Sequence, residues 1–237
     1  MTRETKRLDI VSNNLANAST TGFKSDGAVC GTFKKALSDV MVSGSRIDVA
    51  NYTPDVVNTY TKFSQGSLQN TGSTTDLAIS NDDNAFFTVE DNNGDKLYTR
   101  DGAFIIDKDN YLVTSEGYKV LGTNGYININ ENEFGISVTG QISNNNGNVI
   151  GNLLITSFDN PETLSKIGNN MLEASDDSIV KEFSGEVQQG YLEMSNVNTV
   201  NEMVNMIAIS RAYEANQKVL QSQDEMLGKA VSDVGKV

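Results

Sequence analysis

The chain of 237 residues contains no histidine and one cysteine, Cys30, and its formal net charge is −13. These counts exclude a Ser-His-Asp triad, a zinc site of the usual type and an intrachain disulfide. The charge is uneven, because residues 63–195 hold 6 basic and 20 acidic residues while the segments on either side are nearly neutral. So acidic a middle segment opposes nucleic-acid binding, and we expect no nucleic-acid partner.

Long apolar segments are missing from this sequence. No apolar run reaches 18 residues, so no transmembrane helix is expected. The first 30 residues also lack the apolar core of a cleaved secretory signal. If the protein leaves the cytoplasm, we expect another route to carry it.

The N-terminal segment predicts a short helix from Glu4 to about Asn17, ended by the polar run Ser19–Gly22. One face of this helix is apolar at spacings of three and four residues, formed by Leu8, Val11, Leu15 and Ala18. So short a helix is marginal alone in water and must pack on a partner. Asn13, Asn14 and Asn17 are expected to bond to backbone groups near the helix end.

Residues 71–194 predict an antiparallel β domain, because short β-branched and aromatic runs alternate with turn signals. Asn93-Gly94 predicts a hairpin with a type I′ turn, Asn146-Gly147 a second hairpin and Asp107–Asn110 a third turn. Asn160–Leu172 begins with Asn-Pro and predicts one helical turn. The preceding segment, 31–70, is an arm or linker, within which Gly31–Met41 is compatible with a short helix or an extended arm.

The last segment, 195–237, predicts a long helix that begins with a capping box formed by Thr199 and Glu202. One of its faces follows spacings of three and four, through Met203, Met206, Ser210, Tyr213, Gln217, Leu220, Asp224, Leu227, Val231 and Val234. A second face is small, with Val204, Ala208, Ala212, Ala215, Val219 and Ser222. An arc this broad needs several neighbours, and the pattern alone leaves open whether they belong to the same chain or to other copies.

Signals for catalysis are weak. The acidic pairs Asp82-Asp83 and Asp107/Asp109 allow a carbohydrate-active enzyme that uses two carboxylates, but turns favour aspartate in any case. Asp91–Asp95 lacks the spacing of a calcium loop. We therefore predict no enzyme activity, no metal site and no cofactor, and we keep a cell-wall carbohydrate-active enzyme as the alternative of another class.

Three stretches carry a family resemblance: "LDIVSNNLANASTTGFKS" near the start, "DLAISNDDNAFFTVE" to "YKVLG" at residues 76–122, and "SNVNTVNEMVNMIAISRAYEANQKVLQSQDEML" at residues 195–227. In this order they resemble the bacterial flagellar axial proteins, the rod and hook family. Two departures are notable. "NDDNAFF" replaces the usual Gly-Asp-Gly-Phe-Phe, so this turn is expected to differ in shape. About a dozen residues that family members carry before the position of Arg7 are missing, so Met1 is expected to be an internal methionine or an artificial start.

The resemblance implies a structural subunit of the basal-body rod, favoured as the distal type, with proximal rod and hook subunits as alternatives. It implies that the β domain (71–194) is inserted between the N-terminal segment (1–30) and the C-terminal helix, and that the terminal helices pair as a coiled coil. The implied partners are further copies in a helical homopolymer, other rod and hook proteins and the flagellar type III export apparatus, with no small-molecule substrate. The implied location is the flagellar basal body, reached without a cleaved signal peptide. The expected assembly residues are Leu8, Val11, Asn13, Asn14, Leu15, Asn17, Met203, Val204, Ile207, Ala208, Arg211, Ala212, Tyr213, Ala215, Leu220 and Leu227.

Overall fold

The computed structural model describes residues 2–30, 57–129, 134–144 and 146–234, so the prediction for Gly31–Met41 lies outside the described residues. The chain divides into two compact units. The helical unit consists of Met1–Ala16, Asp26–Tyr60 and Asn198–Val237, and the β unit consists of Asn17–Ser25 and Thr61–Val197. The predicted class, mainly antiparallel β with terminal helices, is confirmed. The finer domain boundaries given above stay predictions.

The described part of the helical unit contains two helices and a two-stranded sheet. Helix α1 spans Thr2–Ala16 and helix α2 spans Thr199–Val234, and the two helices are in contact. Strands β1 (Asp26–Cys30) and β2 (Val57–Thr61) pair with each other, and α1 also contacts β1. The helix predicted from Glu4 therefore begins two residues earlier and ends one residue earlier than expected.

The cap of α2 differs from the predicted capping box. The residue before the helix, Asn198, accepts a hydrogen bond at its side-chain Oδ1 from the amide of Asn201 at 3.0 Å. Its carbonyl accepts from the amide of Glu202, also at 3.0 Å. Asparagine is among the strongest N-cap residues, so it takes the position that the sequence pattern assigned to Thr199. The prediction of Thr199 as the cap is wrong by one residue.

The β unit is built around one ten-stranded antiparallel sheet. Its principal order is β15-β16-β6-β5-β9-β8-β7, while β10 pairs with β9, and β14 pairs with both β5 and β17. These strands are β5 (Ala85–Glu90), β6 (Lys96–Thr99), β7 (Ile105–Ile106), β8 (Leu112–Val113), β9 (Lys119–Gly122), β10 (Gly125–Tyr126), β14 (Ile155–Phe158), β15 (Leu164–Gly168), β16 (Met171–Ala174) and β17 (Val180–Lys181).

Smaller sheets and one turn of 3-10 helix complete the β unit. One sheet has three strands in the order β11-β12-β13, and two strand pairs are β18-β4 and β19-β3. These strands are β3 (Leu68–Asn70), β4 (Leu77–Ser80), β11 (Phe134–Ile136), β12 (Gln141–Asn144), β13 (Val149–Asn152), β18 (Glu186–Gln189) and β19 (Tyr191–Glu193). The helical turn predicted after Asn160 is confirmed as a 3-10 helix at Pro161–Thr163.

Strand β5 lies inside the ten-stranded sheet, where it pairs with β6, β9 and β14, and both of its faces are buried. Successive residues of a strand point to opposite faces. Phe87 therefore joins the main core, where its ring meets that of Phe104 edge-on at 5.2 Å between centroids. Phe86 joins a second apolar cluster on the other face and meets Phe63 edge-on at 5.8 Å. The near-continuous apolar run "AFFTV" is the sequence sign of such a strand.

The three predicted turns are present. The turn at Asn93-Gly94 joins β5 to β6, the turn at Asp107–Asn110 joins β7 to β8, and the turn at Asn146-Gly147 joins β12 to β13. The type I′ geometry predicted for Asn93-Gly94 is wrong, because of the two only Gly94 has a positive φ, at 92°. The carboxylate of Asp91 accepts hydrogen bonds from the amides of Asn93 and Asp95, which favours a longer loop with one left-handed glycine.

The turn that replaces the glycine-rich family pattern relies on asparagine. Asn81 has a φ of 64°, a left-handed conformation that asparagine tolerates better than most residues. The side chain of Asp82 then accepts a hydrogen bond from the amide of Asn84 at 3.1 Å. The turn thus obtains its positive φ without a glycine.

Replacing Gly102 by alanine tests how closely the backbone segments of the β unit approach. A Cβ at this position would lie 1.7 Å from the carbonyl oxygen of Leu77, which belongs to backbone and cannot move alone. We expect Gly102→Ala to lower the free energy of unfolding by about 2 kcal/mol or more in urea denaturation. Gly151→Ala is the matched control, because no atom lies within 4 Å of its Cβ, and it should change stability by less than about 0.5 kcal/mol. Equal effects of the two substitutions would contradict this packing.

Candidate assembly surface

Helix α2 has one covered face near its start. The covered or partly covered side chains are Glu202, Met206, Ile209, Ser210 and Tyr213. Their spacing of three and four residues puts them on one side of the helix, and Ile209 is only 5% exposed. Helix α1 is in contact with α2, so this face meets a partner within the chain.

Helix α1 also has a covered face. Val11 is 8% exposed, and Leu8 and Leu15 are half-buried, as their spacing predicts for one face. Asn14 is buried beside them, whereas Asn13 is exposed. The structure thus places Leu8, Val11 and Leu15 on the covered face of α1, whereas Ala18, predicted for the same face, lies in the turn after the helix.

Asn14 carries out the role expected of the asparagines. Its side-chain Nδ2 donates to the carbonyl of Asp26 at 2.8 Å, and its Oδ1 accepts from the amide of Asp26 at 2.9 Å. The side chain therefore pairs with the backbone at the start of β1 and leaves neither polar atom unsatisfied. In the β unit, Asn17 accepts a side-chain bond from Thr20 at 3.3 Å, in the turn after α1.

Most of the residues predicted for assembly on α2 are exposed. Tyr213 is half-buried. The exposed residues of the set are Met203, Val204, Ile207, Ala208, Arg211, Ala212, Ala215, Leu220 and Leu227. From Glu214 to Lys229 every residue of α2 is exposed. Despite this apolar surface, none of the described helices combines the length and hydropathy that crossing a membrane requires.

Of the covered face only Tyr213 is in the predicted assembly set, and its two aliphatic residues, Met206 and Ile209, are absent from that set. Counting from Glu202, the spacings 4, 3 and 4 lead through both to Tyr213 and identify the face that α1 covers. The predicted pattern passed through Met206, Ser210 and Tyr213 as well, although its first residue, Met203, is 50% exposed. The signal was therefore in the sequence, but the assembly set took Met203 from this pattern and left out Met206.

The β unit holds a buried cluster of charges that sequence reasoning did not identify. We call residues 17–25 the strap, and Lys24, Arg100 and Glu193 the Glu193 cluster. Lys24 Nζ lies 2.7 Å from Glu193 Oε1, and Arg100 Nε lies 2.5 Å from Glu193 Oε2. All three side chains are at most 3% exposed. One carboxylate therefore joins two cations away from water.

The remaining polar atoms of the cluster have backbone partners. Glu193 Oε1 accepts a second hydrogen bond from the amide of Gly66 at 2.8 Å, and Lys24 Nζ donates to the carbonyl of Ser64 at 2.9 Å. The Arg100 guanidinium donates to the carbonyls of Asp82, Ala85 and Ile79. Buried charges are tolerated when they are paired and hydrogen-bonded in this way.

The strap is hydrogen-bonded to the segment that leads into α2. The amide of Gly22 donates to the carbonyl of Glu193 at 2.8 Å. The amide of Ser25 donates to Asn196 Oδ1 at 2.8 Å, and the amide of Asn196 donates to the carbonyl of Phe23 at 3.4 Å. The residues that follow α1 and those that precede α2 therefore lie side by side within the β unit.

Gly22 is required where the strap passes the chain at Asp101. Its φ is 67°, and a Cβ there would lie 2.3 Å from the amide nitrogen of Asp101. The neighbouring Thr21 hydroxyl donates to Asp101 Oδ1 at 2.7 Å. Burial raises the pKa of the Asp101 carboxyl, while the hydrogen bonds from Thr21 and Ala103 oppose that rise.

The pKa of Lys24 is lowered from its ordinary value of 10.5, chiefly because burial disfavours the charged ammonium. The nearby Arg100 cation lowers this pKa further. The carboxylates of Glu193 and Asp83 act in the opposite direction. At the ammonium of Lys24, the cost of burial therefore outweighs the attraction of the two carboxylates.

Three sequence families match separate parts of the chain. Residues 1–24 match a family described as flagella basal body rod protein, residues 78–150 the flagellar hook protein FlgE/F/G D1 domain, and residues 188–233 the flagellar basal body rod FlgEFG protein C-terminal region. The flagellar basal-body rod protein FlgG of Borreliella burgdorferi is 37% identical, over 97% of this chain and 94% of that protein. The chain belongs to the family of flagellar basal-body rod proteins.

Other members of the rod family are similar over nearly the same length. FlgG of Bacillus subtilis is 32% identical over 95% of this chain and 92% of that protein. The flagellar basal-body rod protein FlgF of Caulobacter vibrioides is 32% identical over 98% and 93%. Each of the three matched segments contributes one member of the Glu193 cluster to this rod protein: Lys24, Arg100 and Glu193 in turn.

Substitutions in the cluster should differ strongly in their cost. Glu193→Gln leaves two buried cations without a carboxylate, and we expect it to lower the free energy of unfolding by about 3–5 kcal/mol. Lys24→Met leaves a one-to-one ion pair, and the carbonyl of Ser64 keeps a donor in Asn196 Nδ2 at 3.0 Å. Its cost should stay below about 1.5 kcal/mol in urea denaturation. Equal costs for the two substitutions would show that the net charge of the cluster does not matter.

The lowered pKa of Lys24 predicts a pH dependence with a definite sign. Below pH 10.5 the unfolded lysine still holds its proton at pH values where the folded one has released it, so the unfolded state binds more protons. The free energy of unfolding of the wild type should therefore rise with pH relative to that of Lys24→Met. Each unit by which the pKa is lowered contributes about 1.4 kcal/mol. Urea titrations of both proteins from neutral to alkaline pH measure this, and a constant or falling difference would contradict it.

Proposed function

We propose that the chain is a non-enzymatic structural subunit of the flagellar basal-body rod, and that it polymerises through α1 and α2. Family membership supports the rod as its location. The uncovered apolar surface of α2 is the observation that carries polymerisation. A rod subunit must bind further subunits, and this helix offers a surface on which they bury apolar side chains.

The apolar surface of α2 extends well beyond the part that α1 covers. Leu220 and Leu227 follow Tyr213 by seven and fourteen residues, so they lie on the same face of the helix as the covered residues near its start. Leu227 is 64% exposed and Leu220 is 46% exposed. On the other side, Met203, Val204 and Ile207 are each at least 50% exposed. Apolar side chains on two sides of one helix support contacts with more than one neighbour.

The finer parts of the proposal follow from the resemblance and from this surface. We propose that α1 and α2 pair as a coiled coil, and that copies of the chain stack into a helical homopolymer. The further partners are other rod and hook proteins, and export proceeds through the flagellar export apparatus without a cleaved signal peptide. A distal rather than a proximal place in the rod is supported by the sequence resemblance.

The alternative of a carbohydrate-active enzyme does not fit the positions of its carboxylates. Asp82 lies in the turn that enters β5, whereas Asp107 and Asp109 lie in the turn between β7 and β8. Strands β9 and β8 separate β5 from β7. At about 4.8 Å per strand, strands β5 and β7 are roughly 14 Å apart, and the turns that hold these carboxylates are spread across the sheet accordingly. Glycosidases hold their two carboxylates about 5–9.5 Å apart.

A double substitution on α2, Leu220→Gln with Leu227→Gln, tests polymerisation. Both side chains are exposed, so the stability of the monomer should change by less than about 0.5 kcal/mol. If neighbouring subunits bury both leucines, the substitution removes about 1–2 kcal/mol of burial for each. The critical concentration for polymer formation should then rise about tenfold or more, measured by sedimentation and electron microscopy.

The matched control for this experiment is Val138→Gln, because Val138 is 61% exposed and lies in the turn between β11 and β12. It replaces an equally exposed apolar side chain in the β unit. Polymer formation should be unchanged in this variant. Unchanged assembly of the α2 variant, with its helix content intact by circular dichroism, would reject α2 as the assembly surface.

A further inference from the structure

The strap contributes the only cation of the Glu193 cluster that a local movement of the chain can return to water. Lys24 lies on the strap, in a segment that is linked to the rest of the β unit by hydrogen bonds rather than by strands of its own. Arg100 follows directly after β6, and its guanidinium donates to three carbonyls around it. Opening of the strap would therefore hydrate Lys24 and leave Arg100 in place.

Glu193 has the corresponding position in the other segment. It is the last residue of β19, and its carbonyl accepts the amide of Gly22 while its carboxylate binds Lys24. Three residues later, Asn196 bonds to Phe23 and Ser25 of the strap. The same side chain of Asn196 donates to the carbonyls of Lys62 and Ser64. The two segments thus share their bonds, and neither can open without breaking those of the other.

We propose that Glu193 is a charge-operated lock that holds the strap closed, and that the strap and residues 193–197 open together as one unit while the core of the β unit stays folded. The carboxylate makes burial of Lys24 tolerable, so the closed strap depends on its charge. When closed, the lock fixes the chain just after α1 beside the chain just before α2.

Additional contacts of the strap explain why it opens as a whole. The Lys166 ammonium donates to the carbonyl of Lys24 at 2.6 Å and lies 4.7 Å from the centre of the Phe23 ring. Asn170 Nδ2 donates to the carbonyl of Thr21 at 2.8 Å. These bonds all hold residues of one short segment. Once the ion pair of Lys24 breaks, the segment is free to move as a whole and the other bonds break with it, as in a cooperative local opening.

Amide hydrogen exchange on the full-length monomer tests the lock directly. In the wild type, the amides of Gly22 and Asn196 should exchange through one opening, with the same dependence on urea, and faster than those of Phe87 and Val89 in β5. Glu193→Gln should speed exchange of the strap and of residues 193–197 by the same factor, about tenfold or more. Glu186→Gln makes the same chemical change at an exposed glutamate and should leave both segments unchanged.

A second substitution separates charge from shape. In Lys24→Met with Glu193→Gln, the strap no longer carries a cation, so we expect its exchange to return towards the wild-type rate. If Glu193→Gln does not fold, recovery of folding in this double variant supports the lock in the same way. The wild-type measurement needs no variant at all.

Two results would overturn the proposal. Different urea dependences for Gly22 and Asn196 in the wild type would show that the two segments open independently. The same urea dependence for Gly22, Asn196 and the amides of β5 in the wild type would show that the strap opens only when the whole β unit unfolds. Both outcomes are read from the monomer, so they are independent of whether the chain polymerises.

Discussion

A single buried carboxylate, that of Glu193, joins the parts of the β unit that are farthest apart in the sequence. It binds Lys24 of the strap and Arg100 beside β6, and it accepts the amide of Gly66 as well. Among the described residues, Glu193 is the one carboxylate at ion-pair distance from either cation. The interaction is costly to break and sensitive to the removal of its one anion.

The local structure was largely predictable, because it depends on residues close together in the sequence. Turn residues and apolar runs predicted an antiparallel β domain and the positions of three of its turns, and spacings of three and four residues predicted both helices. Errors arose where two local choices were nearly equal, as at the cap, where Asn198 accepts the bond assigned to Thr199. At Asn93-Gly94, the carboxylate of Asp91 selects a different turn from the commonest one.

The buried cluster was not predictable from one sequence. Lys24 and Glu193 are 169 residues apart, and hydropathy patterns place a lysine or a glutamate at the surface. Nothing local shows that each is buried, because their partners lie far away in the sequence: Lys24 binds Glu193 and the carbonyl of Ser64, and Glu193 binds Lys24, Arg100 and the amide of Gly66. The covered side of α2 is an intermediate case. Its spacing was visible, but Met203 and Met206 belong to the same predicted pattern, and only the structure shows that Met206 is partly covered and Met203 exposed.

The separation of Lys24 from Glu193 also has a consequence for the order of folding. Residues that are far apart in the chain meet late, because closing a long loop costs entropy before any contact is made. In a chain synthesised from its N-terminus, the strap has no carboxylate to bind until nearly all of the β unit has been made. The strap is made before the rest of the β unit and is therefore among the last parts of that unit to find its place. During that interval, α1 is connected to a segment that has not yet docked.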